Sequence, residues 1–396
     1  MDTNLLPLGG MNTVSDDDAL QVGGDAPRLY VRDAVNFEIT ETGRARLRAG
    51  VRKVTTTPYR WIWQSPLHGD VFGVLGDQWV RIDPTTWTHE ALAVIGAGPA
   101  FHEVVNASVV VAGAAGLFVF DGSSARRLTL DSPAPPMVVG SGSGSLPGGT
   151  YGVAVAWLRG QQESPLSAVA FAEVEDGGRI QVTFPLCLDA TVTGLRMYIT
   201  RQNGGELTAA GDFAVPSPSI DLPALPDPGR PAQFRHLSPM PSGAFLRYWR
   251  GRILTARANV LRWSESLAYH LHDERHGFVL MPQRITFVEP VDGGIWVGQA
   301  DHVAFIQGVS PDGFDIRRAS VKPPIPGSSL RLSAEAAGEL GQGGAPAVAW
   351  LAENGYVIGT SSGAAVEMHG KVLRGVSGLW GSSILRGIRM LTAVST

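Results

Sequence analysis

The sequence contains a single cysteine, Cys187. One cysteine excludes an intramolecular disulfide framework and a thiolate metal cluster, so packing alone has to hold the fold together. No window reaches about 18 consecutive apolar residues, which predicts no membrane-spanning helix. The N-terminal stretch lacks a basic start followed by an apolar run, so we expect synthesis in the cytoplasm without export.

Charged residues are also scarce, at 17% of the 396 residues, whereas apolar residues make up 44%. This balance is typical of folded domains and argues against long disorder. The 32 basic and 36 acidic residues give a formal net charge of −4, which disfavours a general phosphate-binding surface and avid binding of nucleic acid. A slightly acidic protein can still line a passage for DNA, where the need is to avoid sticking.

Helical periodicity is nearly missing and is confined to a short stretch near Ser333–Leu340. The 49 glycines and 27 prolines are spread along the whole chain and predict frequent turns. Short alternating runs rich in Val, Ile, Trp, Phe and Thr lie between these turns, a pattern that predicts an all-β fold. The clearest predicted strands are Arg60–Gln64, Val71–Leu75, Trp79–Ile82, Val109–Ala112, Leu117–Phe120, Gly294–Val297, Val303–Gln307 and Tyr356–Thr360.

The strands recur in units of a strand, a glycine or Asp-Gly turn, an aromatic-bearing strand, another turn and a third strand. Each unit has about the size of one four-stranded blade, so the sequence predicts a β-propeller of about five blades, with six or seven also compatible. Three clear units start at Leu67, His102 and Ile285, and two weaker ones at Ala347 and Phe245.

The blade rhythm breaks between about Pro133 and Pro231. Pro/Gly/Ser-rich segments flank this region, and about six or seven short alternating strands lie between them, which predicts an inserted immunoglobulin-like or fibronectin-like sandwich. The predicted domains are therefore residues 1–132 as the first part of the propeller, 133–231 as the sandwich with its linkers, and 232–396 as the second part. We expect the N-terminal strands to close the ring by pairing with strands after Gly375; the candidate segments are Ala34–Ile39 and Arg44–Arg48.

Several residue groups have the composition of a chemical site. The run from His270 to His276 resembles a metal site, but a solvated loop between blades is the interpretation we favour, because no third ligand position is fixed. Asp16–Asp18 lacks the spaced oxygen ligands of a calcium loop. Ser361 stands in a literal G-x-S-x-G match, yet both flanks are predicted strands rather than a strand and a helix. The members of the histidine-rich run are His270, His272, Asp273, Glu274, Arg275 and His276.

Other polar and aromatic residues also favour structural interpretations. Asp83, Asp121 and Gln307 end hydrophobic strands, where such side chains satisfy the backbone donors of a turn. A single imperfect Asp-box begins at Ser310, and no phosphate-binding glycine loop is present. The sequence therefore predicts no catalytic residue, no metal, no cofactor and no enzyme activity. We expect the ten tryptophans to pack between blades, although an aromatic surface could also grip sugars; they are Trp61, Trp63, Trp79, Trp87, Trp157, Trp249, Trp263, Trp296, Trp350 and Trp380.

The N-terminal segment resembles the opening of bacteriophage tail proteins of the nozzle or tail-tube-B type, which lie at the distal end of short-tailed phages. The insert segments GGTYGVAVAWLRGQQESPLSA and LRMYITRQNGGEL are similar to the sandwich of those proteins, as is the later stretch with Gly251, Arg252 and Trp263. The N-terminal residues that carry the resemblance are Arg32, Asp33, Ala34, Asn36, Gly43, Arg46, Arg48 and Gly50.

The resemblance implies a virion structural protein rather than an enzyme. It implies a nozzle or hub subunit in the virion tail, made in the cytoplasm of a bacterial host, that forms a head-to-tail ring of about six copies around the DNA channel for genome ejection. Its partners would be further copies, the tail adaptor, the fibres and, in passing, the phage DNA without specific binding. Two alternatives remain open: a tail adaptor or fibre-attachment module that acts through the sandwich, and a carbohydrate-active propeller.

Overall fold

The computed structural model describes residues 6–22, 27–40, 42–67, 69–232, 236–341, 344–387 and 389–396. Strands dominate this part of the chain, and the one α-helix in it, α1 (Ala334–Ala337), lies where the sequence predicts helical periodicity. The hydroxyl of Ser333 accepts a hydrogen bond from the backbone N–H of Ala336 at 3.2 Å and so caps α1. No helix in the described residues is long and apolar enough to cross a membrane. The 3₁₀ turns are Asp17–Ala19, Pro311–Gly313 and Gly338–Gly341.

Two compact units make up the chain. The first unit joins Met1–Pro58, Ala256–Val260 and Leu280–Thr396, and the second joins Tyr59–Thr255 and Leu261–Val279. Among the described residues five sheets are four-stranded and antiparallel, and a two-sheet sandwich is inserted after the second of them. The fold is therefore a β-propeller with an inserted β-sandwich, as the sequence predicts.

The N-terminal part of the first unit forms two small sheets. β1 pairs with β3 in parallel and β2 pairs with β3 in antiparallel orientation. β4 and β5 form a separate hairpin, in which Glu38 lies opposite Arg46. These strands are β1 (Leu8–Met11), β2 (Gln21–Val22), β3 (Arg28–Val31), β4 (Phe37–Ile39) and β5 (Ala45–Leu47).

Blades 1 and 2 follow in the second unit, and each is a meander of four consecutive strands. Their inner strands are the most apolar and the most buried, which is why they occupy the middle of each sheet. Blade 1 consists of β6 (Arg60–Gln64), β7 (Val71–Leu75), β8 (Gln78–Ile82) and β9 (His89–Val94), and blade 2 of β10 (Phe101–Val105), β11 (Ser108–Gly113), β12 (Gly116–Phe120) and β13 (Ala125–Arg127).

Aromatic rings join blade 1 to blade 2. Phe72 and Trp79 are fully buried, and the Phe72 ring centroid lies 5.6 Å from that of Trp79 and 5.9 Å from that of Phe120. His102 completes the group, because its Nε2 accepts a hydrogen bond from the indole N–H of Trp79 at 3.1 Å. Trp63 stacks on the His102 ring at 5.3 Å. The predicted role of tryptophan in packing between blades is confirmed here.

His102 makes the stability of this blade pair depend on pH. Its complete burial lowers its pKa to about 3, whereas in an unfolded chain a histidine has a pKa of about 6.5. As the pH is lowered, the unfolded state therefore takes up a proton before the folded state does. The contribution of the neutral His102 to the free energy of unfolding is fully present above pH 6.5 and falls by about 1.4 kcal/mol per pH unit below it. We expect His102→Gln to remove about 2 kcal/mol of the stability difference between pH 7 and pH 5.

Urea unfolding of the wild type and the His102→Gln variant at pH 7 and pH 5 measures this difference. His270 and His369 also have pKa values lowered by burial, so the variant should keep part of the pH dependence. An identical pH dependence in both proteins would show that His102 is not the group that titrates.

The inserted sandwich has two sheets that enclose one apolar core. The first sheet has the order β14-β18-β21, and the second has the order β16-β15-β19-β20 with β17 also paired to β15. The core includes the fully buried Tyr151, Ile180 and Met197. The strands are β14 (Met137–Leu146), β15 (Gly149–Arg159), β16 (Gln162–Glu163), β17 (Ala170–Val174), β18 (Gly178–Thr183), β19 (Gly194–Thr200), β20 (Leu207–Ala214) and β21 (Ser219–Leu222).

The glycine-rich run Gly140–Gly144 is a strand and not a linker, which corrects the prediction for the start of the insert. It belongs to β14 and pairs with β18. A side chain at Gly140 would overlap the backbone carbonyl of Glu173, so only glycine lets β14 approach β17 this closely. In the same sheet Gly140 and Leu222 both pair with Ile180, so they lie on opposite sides of β18.

Blade 3 follows the sandwich. Its four-stranded sheet is accompanied by a short pair, β22 with β26. Phe245 of this blade packs on Phe101 of blade 2 with ring centroids 5.2 Å apart. The strands are β22 (Leu237–Pro239), β23 (Ala244–Trp249), β24 (Arg252–Arg257), β25 (Val260–Trp263), β26 (Leu271–Asp273) and β27 (Phe278–Leu280).

Blades 4 and 5 form the core of the first unit. Trp296 and Trp350 are fully buried, and their ring centroids lie 5.5 Å apart. The indole N–H of Trp296 donates to the carbonyl oxygen of Thr360 at 2.9 Å, which ties blade 4 to blade 5. Blade 4 consists of β28 (Ile285–Val291), β29 (Gly294–Gln299), β30 (Val303–Gln307) and β31 (Asp315–Ala319), and blade 5 of β32 (Leu330–Leu332), β33 (Ala347–Ala352), β34 (Gly355–Gly359) and β35 (Ala365–Glu367).

The C-terminal strands β36 (Trp380–Arg386) and β37 (Arg389–Ser395) form a hairpin. We expected them to pair with the N-terminal segments, but in the described residues β36 and β37 pair only with each other, as do β4 and β5. The N-terminal segment contacts the chain near its C-terminus in another way. The backbone N–H of Thr13 donates to the carbonyl oxygen of Val372 at 2.8 Å, and the hydroxyl of Thr13 accepts from the N–H of Arg374 at 2.9 Å.

Candidate functional site

The histidine-rich run lies in blade 3, where its two buried rings bond to the backbone. The Nε2 of His270 is 3.0 Å from the carbonyl oxygen of Glu163, and the Nδ1 of His272 is 3.0 Å from the carbonyl oxygen of Trp263. Burial lowers the pKa of His270, so its ring is neutral at pH 7. Each ring therefore positions a neighbouring segment, and the two rings have different partners.

The exposed end of the same run is a turn. Asp273 accepts a hydrogen bond from the backbone N–H of Arg275 at 2.8 Å and lies 3.2 Å from the Nδ1 of His276. Across the described ranges no three His, Cys, Asp or Glu side chains are grouped so that they could hold a metal ion. The prediction of a solvated loop is therefore correct only for the turn at Asp273–His276. It is wrong for His270 and His272, which are buried because their rings bond to backbone carbonyls.

The other candidate residues also have local roles. Ser361 lies in the turn between β34 and β35, and its hydroxyl donates to the carbonyl oxygen of Pro346 at 2.6 Å. Asp16–Asp18 are exposed around a 3₁₀ turn, and Asp17 pairs with Arg32 at 2.6 Å. The Ser361 hydroxyl thus holds the turn against the chain at Pro346.

Asp83 and Asp121 have the predicted turn role. Asp121 accepts from the backbone N–H groups of Ser123 and Ser124, each at 2.9 Å, and Asp83 accepts from that of Thr85 at 2.7 Å. These bonds lower the pKa of both carboxyls, because they favour the ionised form. Gln307 is exposed at the end of β30, and its side chain makes no such bond within the described chain.

A buried charged cluster in the second unit centres on Glu163, a residue that the sequence analysis did not single out. Its carboxylate is only 5% exposed and accepts from Arg196 at 2.8 Å and from Arg230 at 2.5 Å. The Tyr198 hydroxyl donates to the same carboxylate. Burial, together with this hydrogen bond, raises the pKa of Tyr198 to about 12.

The Glu163 cluster links the sandwich to blade 3, because the backbone carbonyl of Glu163 is the partner of His270. A second link runs from the sandwich to blade 2, where the guanidinium of Arg159 donates to the carbonyl oxygen of Leu128 at 2.7 Å. The sandwich is therefore fixed to the blades of the second unit by buried polar contacts and not only by its two chain connections.

A basic region lies on the first unit, and we call it the terminal surface. It consists of the described residues of 42–58 and 371–396, which carry nine Lys and Arg residues and no Asp or Glu. A groove of about 990 Å³ opens here between β4, β5 and the C-terminal hairpin. Its charged lining residues are Arg28, Glu38, Arg46, Arg386 and Arg389.

Among the described residues that line this groove, Glu38 alone carries a carboxylate. Glu38 accepts from Arg46 at 2.7 Å and lies 3.4 Å from Arg389. The hydrogen bond from Arg46 lowers the pKa of Glu38. Arg28 and Arg386 have no ion-pair partner among the residues that the structure describes, so the groove carries an excess of positive charge.

The terminal surface also exposes large apolar side chains. Leu47 is 85% exposed and Val51 is 94% exposed, and Leu379 and Ile384 of the C-terminal segment are also exposed. A monomer rarely exposes several such side chains together with charges of one sign, and surfaces of this kind usually contact a partner. The sequence shows that the segments 42–58 and 371–396 lack Asp and Glu, but the net charge of −4 for the whole chain gives no sign of this.

A smaller apolar site lies at one end of the sandwich. Two cavities of about 390 and 490 Å³ share Trp157, Leu186 and Cys187 in their lining. Leu186 and its neighbour Leu188 are 79% and 89% exposed. The loop between β18 and β19 therefore presents leucine side chains beside apolar pockets, which is suitable for contact with another apolar surface.

No protein-family model matches the chain, and no curated protein matches it in sequence. Several solved structures are similar to the chain at low TM-scores. BBS1N in complex with ARL6DN is 11% identical with a TM-score of 0.33, covering 85% of this chain and 90% of that chain. Sqt1 of Saccharomyces cerevisiae is 10% identical with a TM-score of 0.32, covering 80% and 75%. A chain of the Mitotic Checkpoint Complex is 10% identical with a TM-score of 0.31, covering 92% and 96%. At this distance they indicate nothing about function.

Proposed function

We propose that this protein is a structural subunit of a bacteriophage tail, a nozzle or hub component whose copies form a ring around the DNA channel. In this role the protein carries out no reaction. Its copies hold one another and the neighbouring tail proteins, and DNA passes through the ring during genome ejection without being bound specifically.

The observation that carries the proposal is the exposure of the terminal surface. The residues on which the resemblance to nozzle proteins depends, among them Gly43, Arg46 and Arg48, lie in or beside this surface. The same segment exposes the large apolar side chains of Leu47 and Val51, which a neighbouring copy would cover. The residues that carry the resemblance and the exposed apolar side chains thus lie in the same part of the chain. This is expected for a subunit whose neighbours in the ring cover that surface.

The local roles of the chemical candidates support a structural function. His270, His272 and Ser361 bond to backbone carbonyls, and Asp83 and Asp121 hold turns. Each of these residues stabilises a loop or a blade. A scaffold needs such contacts, whereas an enzyme needs a nucleophile, base or ligand set that faces a pocket.

Light scattering after gel filtration, followed by negative-stain microscopy, tests the proposal. We expect the purified chain to form a ring of several copies with an open channel. Leu47→Glu together with Val51→Glu should abolish assembly, because both side chains would be buried at the contact, whereas Val309→Glu, at a residue that is also exposed but lies in blade 4, should not. A wild-type protein that stays monomeric at all concentrations, and lies outside the tail in labelled virions, would contradict the proposal.

The sandwich cavities favour a second candidate, an adaptor or fibre-attachment module. Leu186 and Leu188 beside these cavities offer an apolar contact for another tail protein. Gold labelling of virions separates the two functions. Label at the tail tip supports the ring, and label around the side of the tail supports the attachment module.

A further inference from the structure

The outer edge of the sandwich has the opposite character to the terminal surface. We call it the sandwich edge and define it by β17, the turn that follows it and the start of β14. Glu173, Glu175 and Asp176 are exposed here and have no ion-pair partner among the described residues. Phe171 on the same strand is 65% exposed, and Met137 of β14 is 63% exposed. The sandwich edge is therefore acidic and apolar, and the terminal surface is basic and apolar.

The remainder of the chain is also acidic, in contrast to the terminal surface. The terminal surface holds nine of the 32 basic residues and none of the 36 acidic ones. The rest of the chain therefore has 23 basic and 36 acidic residues, a net charge of −13. The two segments that define the terminal surface carry a charge of +9, and Glu38 offsets one of these charges where it pairs with Arg46 and Arg389. The remaining excess of positive charge favours attraction between the terminal surface of one copy and an acidic region of another.

We propose that the terminal surface of one copy docks onto the sandwich edge of the next copy. This proposal rests on the ring proposed above. The two surfaces differ from each other, so the contact is head-to-tail, and repeating it closes a ring or extends a filament. Arg48 and Arg52 would face the acidic residues of the sandwich edge, and Val51 would pack against Phe171.

A nucleic-acid backbone is the rival occupant of the terminal surface. It would neutralise the arginines but would leave Leu47, Val51 and Leu379 exposed to water, because phosphates offer no apolar counterpart. A second copy supplies both carboxylates and apolar side chains. The mixed character of the terminal surface therefore favours a protein partner with an acidic and apolar face, which this chain itself carries.

A charge exchange tests the contact. Arg48→Glu with Arg52→Glu should weaken assembly at least about tenfold, and so should Glu173→Lys with Glu175→Lys, since each places like charges together. A chain that carries all four substitutions should recover assembly to within about threefold of the wild type, because the attraction is restored with its sign reversed. Arg317→Glu with Arg318→Glu, on the exposed strand β31 of blade 4, is the matched control and should assemble normally.

The outcomes separate this inference from the proposed function. If the wild type forms rings and the reversals leave them intact, or the combined variant fails to recover while its circular dichroism spectrum is native, the contact is wrong and the ring stands. If the wild type forms no ring, the proposed function fails and this inference fails with it. Binding of a 20-base-pair DNA duplex at physiological salt that Arg48→Glu with Arg52→Glu abolishes would assign the terminal surface to nucleic acid and overturn the contact.

Discussion

Replacing Trp296 by alanine is expected to destabilise the first unit by about 3–5 kcal/mol. The indole lies 4.8 Å from the ring of Phe305 and 5.5 Å from that of Trp350, measured between centroids, and it is fully buried. Gly359 leaves room for it, since a side chain there would overlap the indole ring. Truncation opens a large cavity and also leaves the carbonyl of Thr360 without its indole donor.

Urea unfolding followed by near-ultraviolet circular dichroism measures this loss. Val309→Ala is a suitable control in the same unit, because that side chain is 62% exposed and its truncation should change stability by less than about 0.5 kcal/mol. A Trp296→Ala protein as stable as the control would mean that blades 4 and 5 are not held together by their aromatic contacts.

Replacing Glu163 by alanine is expected to cost about 3 kcal/mol, because it breaks a buried ion pair from one side. Arg196 keeps its partner Asp212 at 2.6 Å, but Arg230 and the hydroxyl of Tyr198 lose their acceptor. The loss of stability should persist in 0.5 M salt, because the carboxylate is buried and dissolved ions cannot screen its interactions.

The matched control for this prediction is Glu206→Ala, which removes an exposed carboxylate in the same sandwich and should be nearly neutral. A thermal unfolding midpoint for Glu163→Ala within one degree of that control would contradict the assigned role of the cluster. Glu163→Gln should lie between the two, because the amide still accepts hydrogen bonds but carries no charge.

Strand positions could be predicted closely, because alternation of apolar residues and turn residues act locally. Arg60–Gln64, Val71–Leu75 and Val303–Gln307 are strands with the predicted bounds, and the five predicted blade units correspond to five four-stranded sheets. The prediction failed at Gly140–Gly144, where glycine is needed for the close approach of β14 and β17 rather than for flexibility. A contact between strands distant in sequence leaves no local signal.

The interaction surfaces were harder to predict than the fold. Glu163 follows a Gln-Gln pair in a polar turn, and nothing in that pattern shows that two arginines and a tyrosine converge on it. The terminal surface had a readable signal, the lack of acidic residues in two segments, but the segments lie at opposite ends of the chain and only the fold brings them to one groove. The net charge of the whole chain does not reveal a basic region that acidic regions elsewhere balance.

The position of the sandwich in its host has a consequence for evolution and engineering. The sandwich begins with Met137, opposite Thr183, and its last strand ends at Leu222, opposite Ile180 on the other side of β18. Two strand spacings and an offset of three residues place these ends about 14 Å apart. A spacer of about four or five residues covers that distance. The sandwich is therefore a cassette that one recombination event could add, remove or exchange while the blade order stays the same, with Glu163 and Arg159 as the two contacts that a replacement module would have to reproduce.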